Sequence, residues 1–80
     1  MSNIDYQILE TIYDLQKDRS GGISCSEIAE ELGLDSLIVR DHLREMNKRY
    51  VAVTFTFGGG CGVSLLAGGR ILIREQRGLE

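Results

Sequence analysis

The sequence predicts an α+β fold: three helices, an antiparallel β-hairpin and a closing segment, gathered in one small domain. Three observations carry this. Apolar residues recur at helical spacing through the first 17 positions. Two short apolar-faced segments follow, separated by a glycine. After Arg49 the hydrophobic period drops to two. Eighty residues suffice for one core and not for two. With 42% hydrophobic and 26% charged residues and no proline, the chain has globular composition, not that of a disordered tail.

The first helix is expected from Asn3 to about Lys17. Ile4, Ile8, Ile12 and Leu15 form its apolar stripe, and Leu9 and Tyr13 widen it. Ser2 or Asn3 can cap it, with Asp5 adding negative charge to the first turn, where the helix dipole favours it. Gly21-Gly22 then reads as a turn.

Ser24 and Glu27 have the spacing of a capping box, so a second helix should open there. Ile28, Ala29 and Leu32 give it an apolar face, and Gly33 suits the left-handed residue that ends helices. A third helix, about residues 36–48, is capped by Asp35 or Ser36 and buries Val39, Leu43, Met46 and Tyr50. Two short helices joined through a glycine turn make a helix-turn-helix.

Val51, Val53, Phe55 and Phe57 alternate with smaller residues, as in a half-buried strand. The stretch GGGCG, residues 58–62, reads as a hairpin loop and VSLL, residues 63–66, as the returning strand. Ile23 can add a short third strand. Residues 67–77 fit either a helix or a continued strand. The domain is expected to span residues 1–78, with Leu79 and Glu80 read as a cloning remnant.

In this order the elements resemble the winged helix-turn-helix domains of bacterial and archaeal transcription regulators. The match is strongest from Ser26 to Val51, SEIAEELGLDSLIVRDHLREMNKRYV. There Glu-Ile-Ala, a Leu-Gly turn and a Val-x-x-x-Leu-x-x-Met helix follow the family pattern. A second match, VSLLAGGR, is similar to the wing's return strand and the start of the last helix, although Leu66 stands where the family places a capping Thr. The resemblance implies a winged helix: a three-helix core with a small antiparallel wing and a short closing helix. It also implies DNA binding through the third helix.

Ser36, Arg40, Arg44 and Lys48 recur every four residues along a sector separate from the core stripe. Residues near the start of such a helix reach base edges most deeply. Ser36, Leu37, Arg40 and Asp41 are therefore the base-reading candidates, with Arg44 at the border and Lys48 placed for phosphate. Leu37 can touch a thymine methyl, while Asp41 can accept from cytosine or hold Arg44.

A net charge of −3 argues against nucleic acid only if it is spread evenly. Residues 1–35 carry eight acidic and two basic side chains, a net −6, whereas residues 36–80 carry seven basic and four acidic, a net +3. The chain is polarised. The wing stretch GGGCG has no cation to offer to DNA, and its expected role is a tight hairpin tip.

Other functions fit poorly. No apolar run reaches the ~20 residues of a membrane span, and the acidic start lacks the features of a signal peptide. A cytoplasmic protein with two free thiols, Cys25 and Cys61, is expected. No Lys-Ser/Thr pair follows the glycines, so they form no P-loop. Cys25, Cys61 and His42 lie on three elements and do not make a metal site. No cofactor or small-molecule substrate is expected, and His42, at the edge of the core sector, has no catalytic partner. The sequence thus predicts a non-enzymatic DNA-binding regulator acting as a homodimer, through Ile71, Leu72 and Ile73 or through Tyr6 and Tyr13. The alternative is a winged-helix module that binds another protein through Leu37 and Ile38.

Overall fold

A computed structural model of the chain describes residues 2–19, 21–56 and 60–79. The order is α1 (Asn3–Gln16), β1 (Ile23–Ser24), α2 (Cys25–Leu32), α3 (Ser36–Met46), β2 (Val51–Phe55), β3 (Cys61–Leu65) and α4 (Ala67–Arg77). The strands form one antiparallel sheet in the order β1-β3-β2.

Helix starts follow from local side chains. Ser2 caps α1 in a capping box with Asp5. Ser24 does the same for α2: its Oγ accepts from Glu27 N at 3.1 Å, and its own N–H donates to Glu27 Oε1 at 3.2 Å. Asp35 caps α3, accepting from Leu37 N at 2.8 Å. At the end of α2, Gly33 takes a left-handed φ of 66°, and Leu34 N reaches back to Ala29 O at 2.9 Å. This satisfies carbonyls that the helix leaves unpaired.

The core is built from one face of each element. Ile8, Leu9 and Ile12 of α1, Ile28 of α2, Val39 and Leu43 of α3, Val51 and Val63 of the sheet and Ile73 of α4 are all buried in it. As the central strand, β3 is covered along its whole inner face, so Cys61, Val63 and Leu65 alternate cleanly with half-buried neighbours. The expected alternation in β2 fades outward instead. Val51 is buried, Val53 half-buried and Phe55 exposed, because β2 is an edge strand that runs past the core. Phe57, expected to continue that face, lies outside the described residues, as do Gly58 and Gly59.

Residues 67–77 form a helix. Leu66 provides no side-chain cap, and the start of α4 is fixed by packing instead. Gly69 is buried so closely against the Tyr50 carbonyl that a Cβ there would overlap it. At the other end the Arg77 guanidinium forks onto Asp14 at 2.9 and 3.0 Å and reaches Glu10 at 3.2 Å, tying α4 to α1. That guanidinium, acting chiefly through its hydrogen bonds, holds the Asp14 carboxyl below its usual range.

The expectation of two free thiols is corrected. Cys25 and Cys61 are disulfide-bonded, with their Cα atoms 5.6 Å apart. The reason is register. Ile23 pairs with Val63 and Ser24 with Gly62, so the next step along the same antiparallel ladder sets Cys25 opposite Cys61. Directly opposed residues have the Cα spacing that a disulfide needs. Cys61 is also part of β3 and not of an exposed loop tip.

Candidate nucleic-acid interface

Helix α3 presents two faces of different chemistry. Val39, Leu43 and Met46 point into the core. On the outer side Leu37 is 62% and Ile38 43% exposed, Asp41 and Arg44 are exposed, and Ser36 and Arg40 are half-covered. Five of the six candidate residues, Ser36, Leu37, Arg40, Asp41 and Arg44, therefore share this helix. Asp41 lies 4.0 Å from Arg44 with both side chains open to solvent, a pairing too exposed to fix either one firmly.

Lys48 does not continue the row. The helix ends at Met46, not near residue 48; Asn47 is extended, and Lys48 adopts a left-handed φ of 73°. Its N–H donates to Val51 O at 2.8 Å. Asn47 sets this stop: its Oδ1 accepts from Val53 N at 3.1 Å, capping an edge-strand donor and turning the chain into β2. Lys48 is consequently an exposed residue of the turn beyond the helix.

Two contacts brace α3 that the residue pattern did not foretell. At its middle, His42 Nδ1 donates to Asp5 Oδ1 at 2.6 Å, with both side chains largely covered. Asp5 belongs to the capping box of α1, so one carboxylate serves both helices. Toward the wing, the guanidinium carbons of Arg40 and Arg44 lie 5.4 and 5.5 Å from the centroid of the Phe55 ring. These separations suit cation–π attraction. The alternating pattern of β2 had assigned Phe55 to the core face, and its isolation on a strand tip gave no sign of this role.

Cys25 and Cys61 are joined to each other and His42 is engaged by Asp5, so these three side chains do not meet. Among the described residues, no three His, Cys, Asp or Glu side chains gather as a metal site would need. No described helix is long and apolar enough to cross a membrane.

No protein-family model matches the chain, and no curated protein matches it in sequence. Its backbone is nonetheless similar to those of solved transcription regulators. One is MepR, a transcription regulator of the Staphylococcus aureus multidrug efflux pump MepA, with a TM-score of 0.78 at 20% identity over 99% of this chain and 57% of that one. The S. aureus MepR–DNA complex gives the same values. Streptococcus pneumoniae FabT in complex with DNA gives a TM-score of 0.74 at 15% identity, over 99% of this chain and 54% of that one. The chain thus spans little more than half the length of these regulators. It has their winged-helix fold, in which α2 and α3 form the helix-turn-helix and the β2–β3 hairpin the wing.

Proposed function

We propose that this domain is a DNA-binding transcriptional regulator that sets α3 into the major groove. The observation that carries the reading is the outer face of α3, where Arg40 and Arg44 stand beside the small or apolar Ser36 and Leu37 on the helix-turn-helix of a winged helix. That two of its structural neighbours were solved with DNA supports the same reading. Arg40 and Arg44 suit guanine O6 and N7. Leu37 suits a thymine methyl, Ser36 either a base edge or phosphate, and Asp41 a cytosine amino group or Arg44 itself. Lys48, in the turn, suits a phosphate.

So few base contacts per domain give modest affinity, and a homodimer on paired half-sites doubles them. Ile71, 51% exposed on α4, is open to such pairing, whereas Ile73 belongs to the core. Such a regulator has no catalytic task. Titrating 15N-labelled protein with mixed-sequence duplex DNA at two salt concentrations tests the class. Amides of residues 36–48 should shift, and binding should weaken steeply as salt rises. Unperturbed amides at low salt would refute it. Sedimentation tests the dimer, which a single 8.9 kDa species at high concentration would exclude.

The adjacent exposed Leu37 and Ile38 favour a second reading, a module that docks on another protein. It predicts a salt-tolerant partner that is lost on Leu37→Asp, with duplex DNA leaving the α3 amides unmoved.

A further inference from the structure

We propose that Phe55 is a positioning residue for base reading: its ring, mounted on the wing strand, holds Arg40 and Arg44 of α3 in one fixed arrangement. The proposal rests on the DNA-binding reading above and names the part of the wing that serves it. Arg40 and Arg44 are one helical turn apart, so their like charges repel. Left alone, two long side chains in that position would splay into solvent and sample many rotamers. Both guanidinium carbons instead lie within 5.5 Å of the same ring centroid, where the electron-rich aromatic face attracts cations.

The ring can do this because its strand is held from two sides. Phe55 pairs with Cys61 across the sheet, and Cys61 is bonded to Cys25 at the start of α2. Two residues earlier, Val53 N is held by Asn47 Oδ1 at 3.1 Å, which ties β2 to the end of α3. Phe55 itself is 39% exposed, more than a core residue would be. Its large apolar surface is retained there against solvent, while the Arg40 Nε beside it is buried without a hydrogen bond. With Nε covered, Arg40 has its terminal amino groups to offer, which suits end-on bidentate contact with a guanine edge.

Pre-placing two arginines lowers the side-chain ordering cost that binding otherwise meets. It does so only for contacts that need defined geometry. Phosphate neutralisation tolerates mobile cations, so non-specific binding and its salt dependence should not involve the ring. This separates a positioning role from a general contribution to charge or folding.

The test uses the whole chain and a duplex selected by the wild-type protein from a random-sequence pool, beside an unselected duplex of equal length. Phe55→Leu should weaken binding to the selected duplex by about 5- to 10-fold, because two arginine side chains must then be ordered on binding. Binding to the unselected duplex should change less than about twofold, with an unaltered salt slope. Phe55→Tyr and Phe55→Trp, which keep an aromatic face, should restore the selected affinity. In the free protein, ring currents should move the Arg40 and Arg44 side-chain NMR resonances upfield, and Phe55→Leu should abolish the shift. Equal losses on both duplexes, or an unchanged preference in Phe55→Leu, would overturn the proposal. Absence of the ring-current shift would overturn it independently of DNA. If the wild type enriches no duplex although the shift is present, the DNA-binding reading has failed and the positioning role falls with it, leaving only the stack.

Discussion

Reducing the Cys25–Cys61 bond should cost this domain a large part of its stability. The two cysteines are 36 residues apart in sequence, and the chain-entropy relation gives about 3.8 kcal/mol for closing a loop of that size. Relaxation of the native state lowers the expected loss to about 2–4 kcal/mol. Both side chains sit in the core, Cys25 at 4% and Cys61 at 8% exposure. Reduction leaves their atoms in place, so no cavity term adds to the cost, as it would for Cys→Ala. A domain this size has only about 4–12 kcal/mol in hand, and its melting temperature should fall by roughly 10–25 °C. Urea and thermal melts with and without a phosphine reductant measure the difference. Thiol titration of the native oxidised protein should find no free thiol before denaturation or reduction. Two titratable thiols in oxidised protein, or melts that coincide within about 1 kcal/mol, would refute the reasoning.

Further consequences follow for packing, acid stability and recognition. Gly69→Ala should destabilise by about 1–3 kcal/mol, because its Cβ would overlap the Tyr50 carbonyl, whereas a Cβ at Gly62 meets nothing within 4 Å and Gly62→Ala should be far milder in the same melt. Asp14 is held below its usual pKa first by its hydrogen bonds to Arg77, and Glu27 first by its hydrogen bond to Arg19, then by the Ser24 N–H. Folded-state values below the unfolded ones mean that both contributions are complete at neutral pH and are lost as pH falls through about 4 and below. Urea midpoints measured from pH 7 to pH 3 should therefore decline less steeply in Arg77→Ala, and an unchanged acid slope would count against the fork. Arg40→Ala and Arg44→Ala should each cost about 1–3 kcal/mol on a selected duplex, whereas Lys48→Ala should weaken selected and unselected duplexes alike; quantitative gel shifts at fixed salt separate the two patterns.

What the sequence made legible is what local chemistry decides. Both capping boxes, the Gly33 stop and the change of period after Arg49 depend on residues within a few positions of one another. The end of α3 was not legible for the opposite reason. Tyr50 continues the phase of Val39, Leu43 and Met46, so periodicity carries the helix past its true end. Asn47 halts it through a hydrogen bond to Val53, a partner supplied by the following strand. The cysteine pairing depends on the register of β1 against β3, and β1 has only two residues. No spacing rule connects positions 25 and 61. Candidate residues on α3 could be chosen from the helical sector alone. Their organisation could not, because Phe55 reaches them from another element and Asp5 reaches His42 from a third.

The same distinction resolves the opposition between acidity and DNA. Eight acidic residues precede position 36, and five of them have structural partners. Asp5 holds His42, Glu10 and Asp14 hold Arg77, Glu27 holds Arg19 and the Ser24 cap, and Asp35 caps α3. Glu10, Asp14 and Glu27 meet two arginines at contact distance, and charge not offset locally is screened beyond about 8 Å at physiological salt. Arg77 and Arg19 are likewise committed to the frame, so a count of nine basic residues overstates what can meet a phosphate. Lys17 pairs with Asp14 and Arg74 donates to the Leu79 carbonyl, which leaves exposed Arg44, Lys48, Arg49 and Arg70, with Arg40 partly covered, as the remaining cationic set. A set that small limits how many phosphates each domain can meet, each contributing a little under one unit to the salt slope. If the domain binds DNA as proposed, its affinity must then come from geometry, and a braced helix and an ordered pair of arginines would matter more than net charge.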